Sequence, residues 1–542
     1  MIIKANNDEV KLIFNYNEDL VNKLRTIPMA RYNPDIMQSY WTFPATSLTH
    51  ARQAQVLSEG SLFPGAKEHI EKKYFRELHL EIKKDRLKAS GPIRALGIFN
   101  KSIHDLCSYE EKVGAVFVQK TLAETIYYKN QTVVISFPVG LGARLEDFCK
   151  YIKPKSLQIY EQDAVTLRQL DLNLHNFQPR PYQQTAADMI INRTIPNRAT
   201  LVMATGSGKT KLSAMITANL GVPTIFYVYS DTLLKQTAEV YEELLQQDIG
   251  RVGGRNFSIK PITIASLQTV YSCYEKQDKR WSKLAEYLDS VELMFVDEGH
   301  MLGAETIYTV AQLTDAYYSY SLTATPFRED GKEIFIEAAT GSAYNLIKEE
   351  ELLAGGYILP VEVEIYPVIH QPIKRTYKYH AIYEKEIIDY WDRHRAVINA
   401  VKNHSGKQVL ILVKEIRHGK KIQENLLCPF IHGKTPTTER NEVLDKFINK
   451  EIEILIASSI LKQGIDIPEA EVLVLAHGGT SSVELLQKIG RVRRPAGNKA
   501  KGIVVDFYDY IEPTSDKDIF KKQAQKRLAV YKQRDFIVNW AK

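Results

Sequence analysis

Short runs of near-continuous apolar residues alternate with amphipathic stretches over most of the chain. Thr200-Leu-Val-Met, Thr224-Ile-Phe-Tyr-Val, Pro261-Ile-Thr-Ile, Leu293-Met-Phe-Val and Ser319-Tyr-Ser-Leu read as buried strands. Between the second and third, the segment from Thr232 to Gln247 places Leu233, Leu234, Thr237, Val240, Tyr241, Leu244 and Leu245 on one helical face. The alternation predicts a parallel sheet covered on both faces. Leu352-Leu-Ala-Gly-Gly-Tyr-Ile-Leu-Pro360 interrupts it. It then resumes with Gln408-Val-Leu-Ile-Leu-Val, Ile452-Glu-Ile-Leu-Ile-Ala, Val472-Leu-Val-Leu-Ala and Gly502-Ile-Val-Val-Asp-Phe. Before residue 170 the pattern is mixed. Val10–Tyr16 and Thr132–Phe137 alternate as strands do, while the charged run Lys67–Arg94 reads as a solvated helix ending in a turn at Gly91-Pro92. The expected organisation is an accessory region over 1–170, α/β units over 171–350 and 351–510, and a basic helical tail over 511–542.

Composition sets bounds on this picture. The chain has 542 residues, 44% hydrophobic and 25% charged, which is ordinary for a globular protein of several domains. Its four cysteines lie far apart with no Cys-x-x-Cys pair, as expected of a reducing compartment. No apolar run of membrane-spanning length and no signal-peptide pattern is present, so a cytoplasmic location is expected. The net charge of +6 permits a polyanionic partner without demanding one. Residues 513–542 carry eight Lys or Arg against three Asp, a net +5.

The chemistry is concentrated at a few places. Ala204-Thr-Gly-Ser-Gly-Lys-Thr210 follows a strand and opens a helix. It reads as a slightly shortened Gly-x-x-x-x-Gly-Lys-Thr loop, with Ala204 in place of the first glycine. Thr205, Gly206, Ser207 and Gly208 would wrap phosphate oxygens, Lys209 would reach the terminal phosphates, and the Thr210 hydroxyl would ligate Mg2+. Asp297-Glu-Gly-His300 ends a later strand. There Asp297 would hold Mg2+ and Glu298 would orient and deprotonate an attacking water. Gln183, in Arg180-Pro-Tyr-Gln183, carries an amide that can read adenine. Gln487-Lys-Ile-Gly-Arg-Val-Arg-Arg494 offers three guanidiniums. Helical phase puts Arg491 and Arg494 on one face, toward a γ-phosphate, and Arg493 elsewhere.

In this order the motifs resemble those of superfamily 2 helicases and translocases of the DExH kind, over roughly residues 175–500. Tyr229–Gln236, Thr263–Gln268, Ser321–Arg328, Ile431–Lys434 with Arg440, and Ser459–Pro468 complete the set. The resemblance implies two RecA-like domains with ATP and Mg2+ in the cleft between them and a nucleic-acid strand across them. Gly464 and Asp466 would couple the second domain to nucleotide. Gln236, Gln268, His300, Thr323, Thr325, Arg328, His432 and Gln487 would contact or couple to the strand. The triplet Arg328-Glu-Asp330 is similar to one that XPB-like proteins, and the related phage UvsW type, use to part a duplex. Gly299 departs from the commoner Ala or Cys, and Lys488 from Arg. Val10–Val21, Ile27–Asp35 and Tyr40–Pro44 resemble the HARP module of annealing helicases. Arg31, Tyr32, Trp41 and Phe43 are its candidate stacking surface, and Thr132–Pro138 with Phe148–Ile152 is a candidate second module. The expectation is a translocase acting on forked, branched or duplex DNA with single-strand contact, without a membrane. An RNA helicase and an ATP-switched binding protein remain open beside it. Glu81-Ile-Lys83 has the spacing of a metal nuclease, but in a run where Glu and Lys abound.

Overall fold

The computed structural model describes residues 2–5, 9–13, 31–33, 40–44, 75–113, 116–160, 168–325, 331–370, 379–458, 470–479, 482–495, 499–511 and 518–541. The two predicted α/β units form two separate sheets. The first has eight strands, in the order Asn256–Ser258, Gly250–Gly253, Ile262–Ser266, Thr224–Val228, Leu293–Asp297, Tyr318–Thr323, Arg198–Met203, Ala343–Ile347. All are parallel except the outermost, Asn256–Ser258. Apolar side chains on both faces of each strand explain the continuous runs. Phe226, Val228 and Phe295 pack into one core, while Ile225, Tyr227, Met294 and Val296 pack into the other. The predicted helical face is buried on Asp231–Leu245 through Leu234, Thr237, Tyr241, Leu244 and Leu245.

The second sheet has seven strands, all parallel, in the order Phe430–Ile431, Ile454–Ala457, Val409–Leu412, Val472–Leu475, Gly502–Ile511, Val361–His370, Ile537–Trp540. The chain crosses between lobes once, at 355–360, where the Gly-Gly break was read. Strand Val361–His370 was not anticipated. It alternates buried Val361, Val363 and Ile365 with half-buried Glu362 and Glu364.

The C-terminal tail is helical over Ile519–Gln533, as its pattern predicts, but the chain then adds a strand to the second sheet. After helix Ile519–Gln533, capped by the Asp518 carboxylate, strand Ile537–Trp540 pairs in parallel with Val361–His370 as an edge of the second sheet.

The charged segment expected as a helix also differs. His79–Lys83 and Arg86–Ser90 form a hairpin, with Leu80, Ile82, Leu87 and Ala89 buried and the charges facing out between them. The period is two, and charge at every other position mimicked a solvated helix. Glu81 faces Lys88 across the hairpin, 3.6 Å away, so its carboxylate is engaged with a cation. The turn at Gly91 is present, with φ of +153°. This hairpin belongs to a five-stranded sheet with Thr132–Ser136, Glu124–Tyr128 and Ser156–Tyr160, backed by helices Ile93–Leu106 and Gly142–Tyr151. Its core runs on into the first lobe through Ile334, Phe335 and Ala338 of helix Glu333–Thr340. Arg144 pairs with Glu337 of that helix, and a Cβ on Gly140 would stand 2.0 Å from the Glu337 carbonyl oxygen. The first 44 residues contribute a separate antiparallel sheet, Ile2–Ala5, Glu9–Ile13, Tyr40–Pro44, Arg31–Asn33. The side chains of Arg31, Tyr32, Trp41 and Phe43 lie outside the described residues. No helix among the described residues is long and apolar enough to cross a membrane.

Candidate active site at the seam of the two lobes

Strand Arg198–Met203 runs through a tight loop into helix Lys209–Leu220. Counted back from Gly208, the first-glycine position of the loop pattern falls on Met203, buried at the strand end, rather than on Ala204. Gly206 and Gly208 are left-handed, at φ of +89° and +78°, which side chains with a Cβ rarely adopt. A Cβ on Gly208 would stand 2.7 Å from the Gln183 amide nitrogen. The loop leaves the first backbone N–H groups of the helix without helical partners. The Ser207 hydroxyl is fully buried and has no partner among the described residues. A left-handed glycine cradle, an orphaned hydroxyl, a helix N-terminus and Lys209 together fit a phosphate chain. Thr210, the second residue of that helix, and Asp297 supply the hard oxygen donors that a divalent cation takes.

Gln183 braces this loop. Its Nε2 donates to the Ser207 carbonyl at 3.0 Å, and its Oε1 accepts from the Arg180 backbone N–H at 3.0 Å. The Tyr182 hydroxyl donates to the same carbonyl at 3.1 Å. Arg180 donates to the Tyr182 hydroxyl at 3.0 Å and stacks 4.8 Å over the Tyr357 ring. Much of the hydrogen-bonding capacity expected to read adenine is therefore spent on the protein. Tyr357, just past the Gly-Gly break, had no signal in the sequence.

Asp297 ends its strand, and Glu298 follows in a left-handed conformation at φ of +51°. A non-glycine residue held there is strained by roughly 1–3 kcal/mol and persists only where its surroundings fix it. The Glu298 N–H donates to Asp297 Oδ1 at 3.0 Å. Glu298 Oε2 lies 3.3 Å from His300 Nδ1, and Gln487 of the second lobe faces the same carboxylate. Burial alone would raise both acids. For Asp297, burial and the charge of Glu298 prevail over Lys209, and its affinity for a proton rises. For Glu298, Lys209 and His300 overcome burial and hold the carboxyl well below the usual range, so it is ionised at neutral pH.

Gly299 has a steric explanation. A Cβ there would stand 2.8 Å from Ser321 Cβ, and Ser321 cannot yield. Its hydroxyl is locked to Thr200 at 3.1 Å and Thr340 at 2.9 Å in a buried cluster behind the sheet. Gly299→Ala is expected to cost about 1–3 kcal/mol, as overpacking does, and to lower ATP turnover by displacing Glu298. Thermal unfolding and steady-state turnover of the variant check this.

The remaining candidates lie at the carboxyl ends of the strands or on the opposed lobe. The Thr323 hydroxyl donates to the Thr325 carbonyl at 2.9 Å and accepts from its N–H at 3.1 Å, closing a turn after strand Tyr318–Thr323. Gln236 is half-buried on helix Asp231–Leu245, and Gln268 is exposed in the first turn of Leu267–Lys276. His432 follows strand Phe430–Ile431 and accepts from the Lys434 N–H at 3.2 Å. Helix Ser482–Ile489 passes into a tighter turn at Gly490–Arg493. Gly490 packs onto Thr205 of the phosphate loop, so closely that a Cβ would stand 2.3 Å from Thr205 Cγ2. Arg491 lies within this turn, and Arg494 follows it in an extended conformation. Arg493 turns to Glu349, 2.6 Å away. Lys488 lies 3.0 Å from His477 Nε2. Arg328, Gly464 and Asp466 lie outside the described residues. A cleft of about 490 Å³, outside the sequence candidates, lies beside helix Asp231–Leu245 and is lined by Lys235, Gly253, Gly254 and Arg255. The Gly-Gly-Arg sequence after a strand was its signal, with Gly254 left-handed at φ of +56°.

Residues 176–328 match the family model "Type III restriction enzyme, res subunit", and residues 392–496 match "Helicase conserved C-terminal domain". The chain is 25% identical over 406 residues to the "DNA 3'-5' translocase XPB2" of Sulfurisphaera tokodaii, covering 67% of this chain and 88% of the relative. It is 30% identical over 364 residues to the "DNA 3'-5' helicase XPB" of Kineococcus radiotolerans, covering 64% and 62%. Among solved structures, the ATP-dependent Type ISP restriction-modification enzyme LlaBIII bound to DNA shares the fold. It superposes with a TM-score of 0.51 at 15% identity, covering 66% of this chain and 30% of that one.

Proposed function

Since this chain belongs to the superfamily 2 helicases, XPB-like in its two RecA-like lobes, and hydrolyses ATP, we propose that it is a DNA translocase that remodels forked or branched duplexes. Branch migration, fork regression and reannealing are the reactions of this class. The supporting observation is the seam itself: Gln487 of the second lobe meets Glu298 of the first, and Gly490 meets Thr205. A site split between two lobes makes nucleotide state and lobe separation one variable.

In this reading Thr205, Gly206, Ser207 and Gly208 hold the phosphates through backbone N–H groups, with Lys209 at the terminal ones. Arg180 and Gln183 fix the loop at its back. Thr210 and Asp297 would hold Mg2+, which when bound neutralises phosphate charge. Glu298 accepts the proton of the attacking water, with His300 and Gln487 fixing its carboxylate. Arg491 and Arg494 stabilise the charge that develops on the γ-phosphate, and Gly464 and Asp466 couple the second lobe to it. Gln236, Gln268, Thr323, Thr325, His432 and Arg328 meet the strand. Most of their contacts go to the backbone, so binding weakens with salt and is insensitive to sequence.

ATP turnover and strand displacement measured with single-stranded, duplex, forked and four-way DNA, beside RNA counterparts, test this. Forked or four-way DNA is expected to stimulate most and to be remodelled. Greater stimulation by duplex RNA would favour an RNA helicase. Turnover without strand movement would favour an ATP-switched binding protein.

A further inference from the structure

Arg491 and Arg494 must reach a nucleotide held by the other lobe, yet the lobes are joined by a single crossing at 355–360. Arg493, between them in sequence, is bound at that crossing. Its Nη1 donates to Glu349 Oε1 at 2.6 Å, and its Nε donates to the Leu359 carbonyl at 3.1 Å. Its own carbonyl accepts from the Leu359 N–H at 2.7 Å, and its guanidinium stacks 5.6 Å from the Phe536 ring. The second Glu349 oxygen takes Arg534, 3.5 Å away, at the end of the C-terminal helix. Glu349 itself belongs to the first lobe. Its short helix Glu349–Ala354 is anchored by fully buried Leu352 in the core that also holds Ile358, and Ile358 lies against Gly206 of the phosphate loop.

We propose that Glu349, Arg493 and Arg534 form a clamp at the lobe crossing that sets Arg491 and Arg494 in register with the phosphate loop. The inference rests on the reading of Arg491 and Arg494 as the γ-phosphate cations. Arg493 is then a positioning residue. One carboxylate fixed to the first lobe holds two cations of the second, one on each oxygen. The planar guanidinium fixes direction as well as distance, which a lysine cannot do. Arg493 is buried and Glu349 half-buried, and an ion pair drawn out of water often adds little net stability, so geometric fixation is the more direct account of a pair at this place. Because the pivot lies beside the crossing, it persists as the cleft opens and closes, and lobe motion is delivered to the arginines as a rotation about a fixed point.

The test compares Arg493→Gln, Arg493→Lys and Glu349→Gln with Arg491→Ala in the full chain. The measurements are DNA-stimulated ATP turnover and equilibrium binding of a non-hydrolysable ATP analogue. Arg493→Gln and Glu349→Gln are expected to lower kcat by about 10–100-fold, the effect of a small misplacement at a reacting centre, while analogue affinity stays within about twofold. Arg493→Lys should fall between Arg493→Gln and the parent. A role confined to stability would not lower kcat in folded protein at unchanged affinity. If Arg493→Gln does not fold, Glu349→Gln, on a half-buried helix start, decides. Loss of turnover in Arg491→Ala with kcat within twofold of the parent in both clamp variants would overturn the clamp. Full turnover in Arg491→Ala would overturn the arginine reading and the clamp with it.

Discussion

Replacing Glu298 by Gln is expected to lower ATP turnover by about 10²–10⁴-fold, the contribution of a positioned general base, while leaving ATP and DNA binding close to the parent's. Gln preserves the shape and the contacts to His300 and Gln487 but cannot accept a proton. The prediction is sharpened by the neighbour. The negative charge of Glu298 is one of the causes, after burial, that raise the affinity of Asp297 for a proton. Neutralising position 298 removes that repulsion, so Asp297 ionises more readily. Affinity for Mg2+ and nucleotide should therefore hold or rise while turnover collapses. Removing Lys209 instead weakens nucleotide binding and turnover together. Rapid-mix turnover set beside equilibrium nucleotide binding separates these outcomes, and undiminished turnover in Glu298→Gln would refute the assignment. The backbone supports the same reading. Glu298 holds a left-handed conformation that glycine would adopt without strain. Retention of a carboxylate there at a cost in strain suits a role that needs the charge rather than the turn.

What was legible in the sequence was whatever depends on local geometry. The phosphate loop could be read because glycine supplies left-handed backbone and Lys209-Thr210 opens a helix. Asp297 and Glu298 could be read because parallel strands deliver their carboxyl ends to one edge. Five strands of the first lobe and four of the second could be read because strands buried on both faces leave uninterrupted apolar runs. Elements with one polar face could not. The charged run around His79–Ser90 reads as a helix and Val361–His370 gives no strand signal, since both interleave charge with apolar residues. The partners of side chains were beyond reach as well. Nothing near Gln183 in sequence foretells that its amide is spent on Ser207, and nothing near Arg493 foretells Glu349, which lies 144 residues away.

The C-terminal segment shows the same limit with the largest consequence for stability. Residues 513–542 carry a net +5, yet Arg527 among them is buried. It donates to Asp506 Oδ2 at 2.8 Å and to the carbonyls of Gly479 and Phe507, each at 2.9 Å. Asp506 also accepts from the Tyr531 hydroxyl at 2.7 Å and from the Phe507 N–H at 2.8 Å. Arg527→Met is therefore expected to destabilise the second lobe by about 3–5 kcal/mol, because it strands a buried carboxylate and two carbonyls. Arg527→Lys keeps the charge but cannot span three acceptors, and should lose less. Neutralising Lys522 or Lys526, exposed on the same helix, should change stability by no more than about 0.5 kcal/mol. The decisive variant is the double replacement of Arg527 by Met and Asp506 by Leu. If the loss in Arg527→Met comes from an uncompensated charge, removing that charge as well should recover much of it, since an apolar pair can replace a buried ion pair at little net cost. Denaturant unfolding of the parent, Arg527→Met, Asp506→Leu and the double variant reads this directly. A double variant as unstable as the sum of its singles would show that the hydrogen bonds to Gly479 and Phe507, not the ion pair, hold this helix to the lobe.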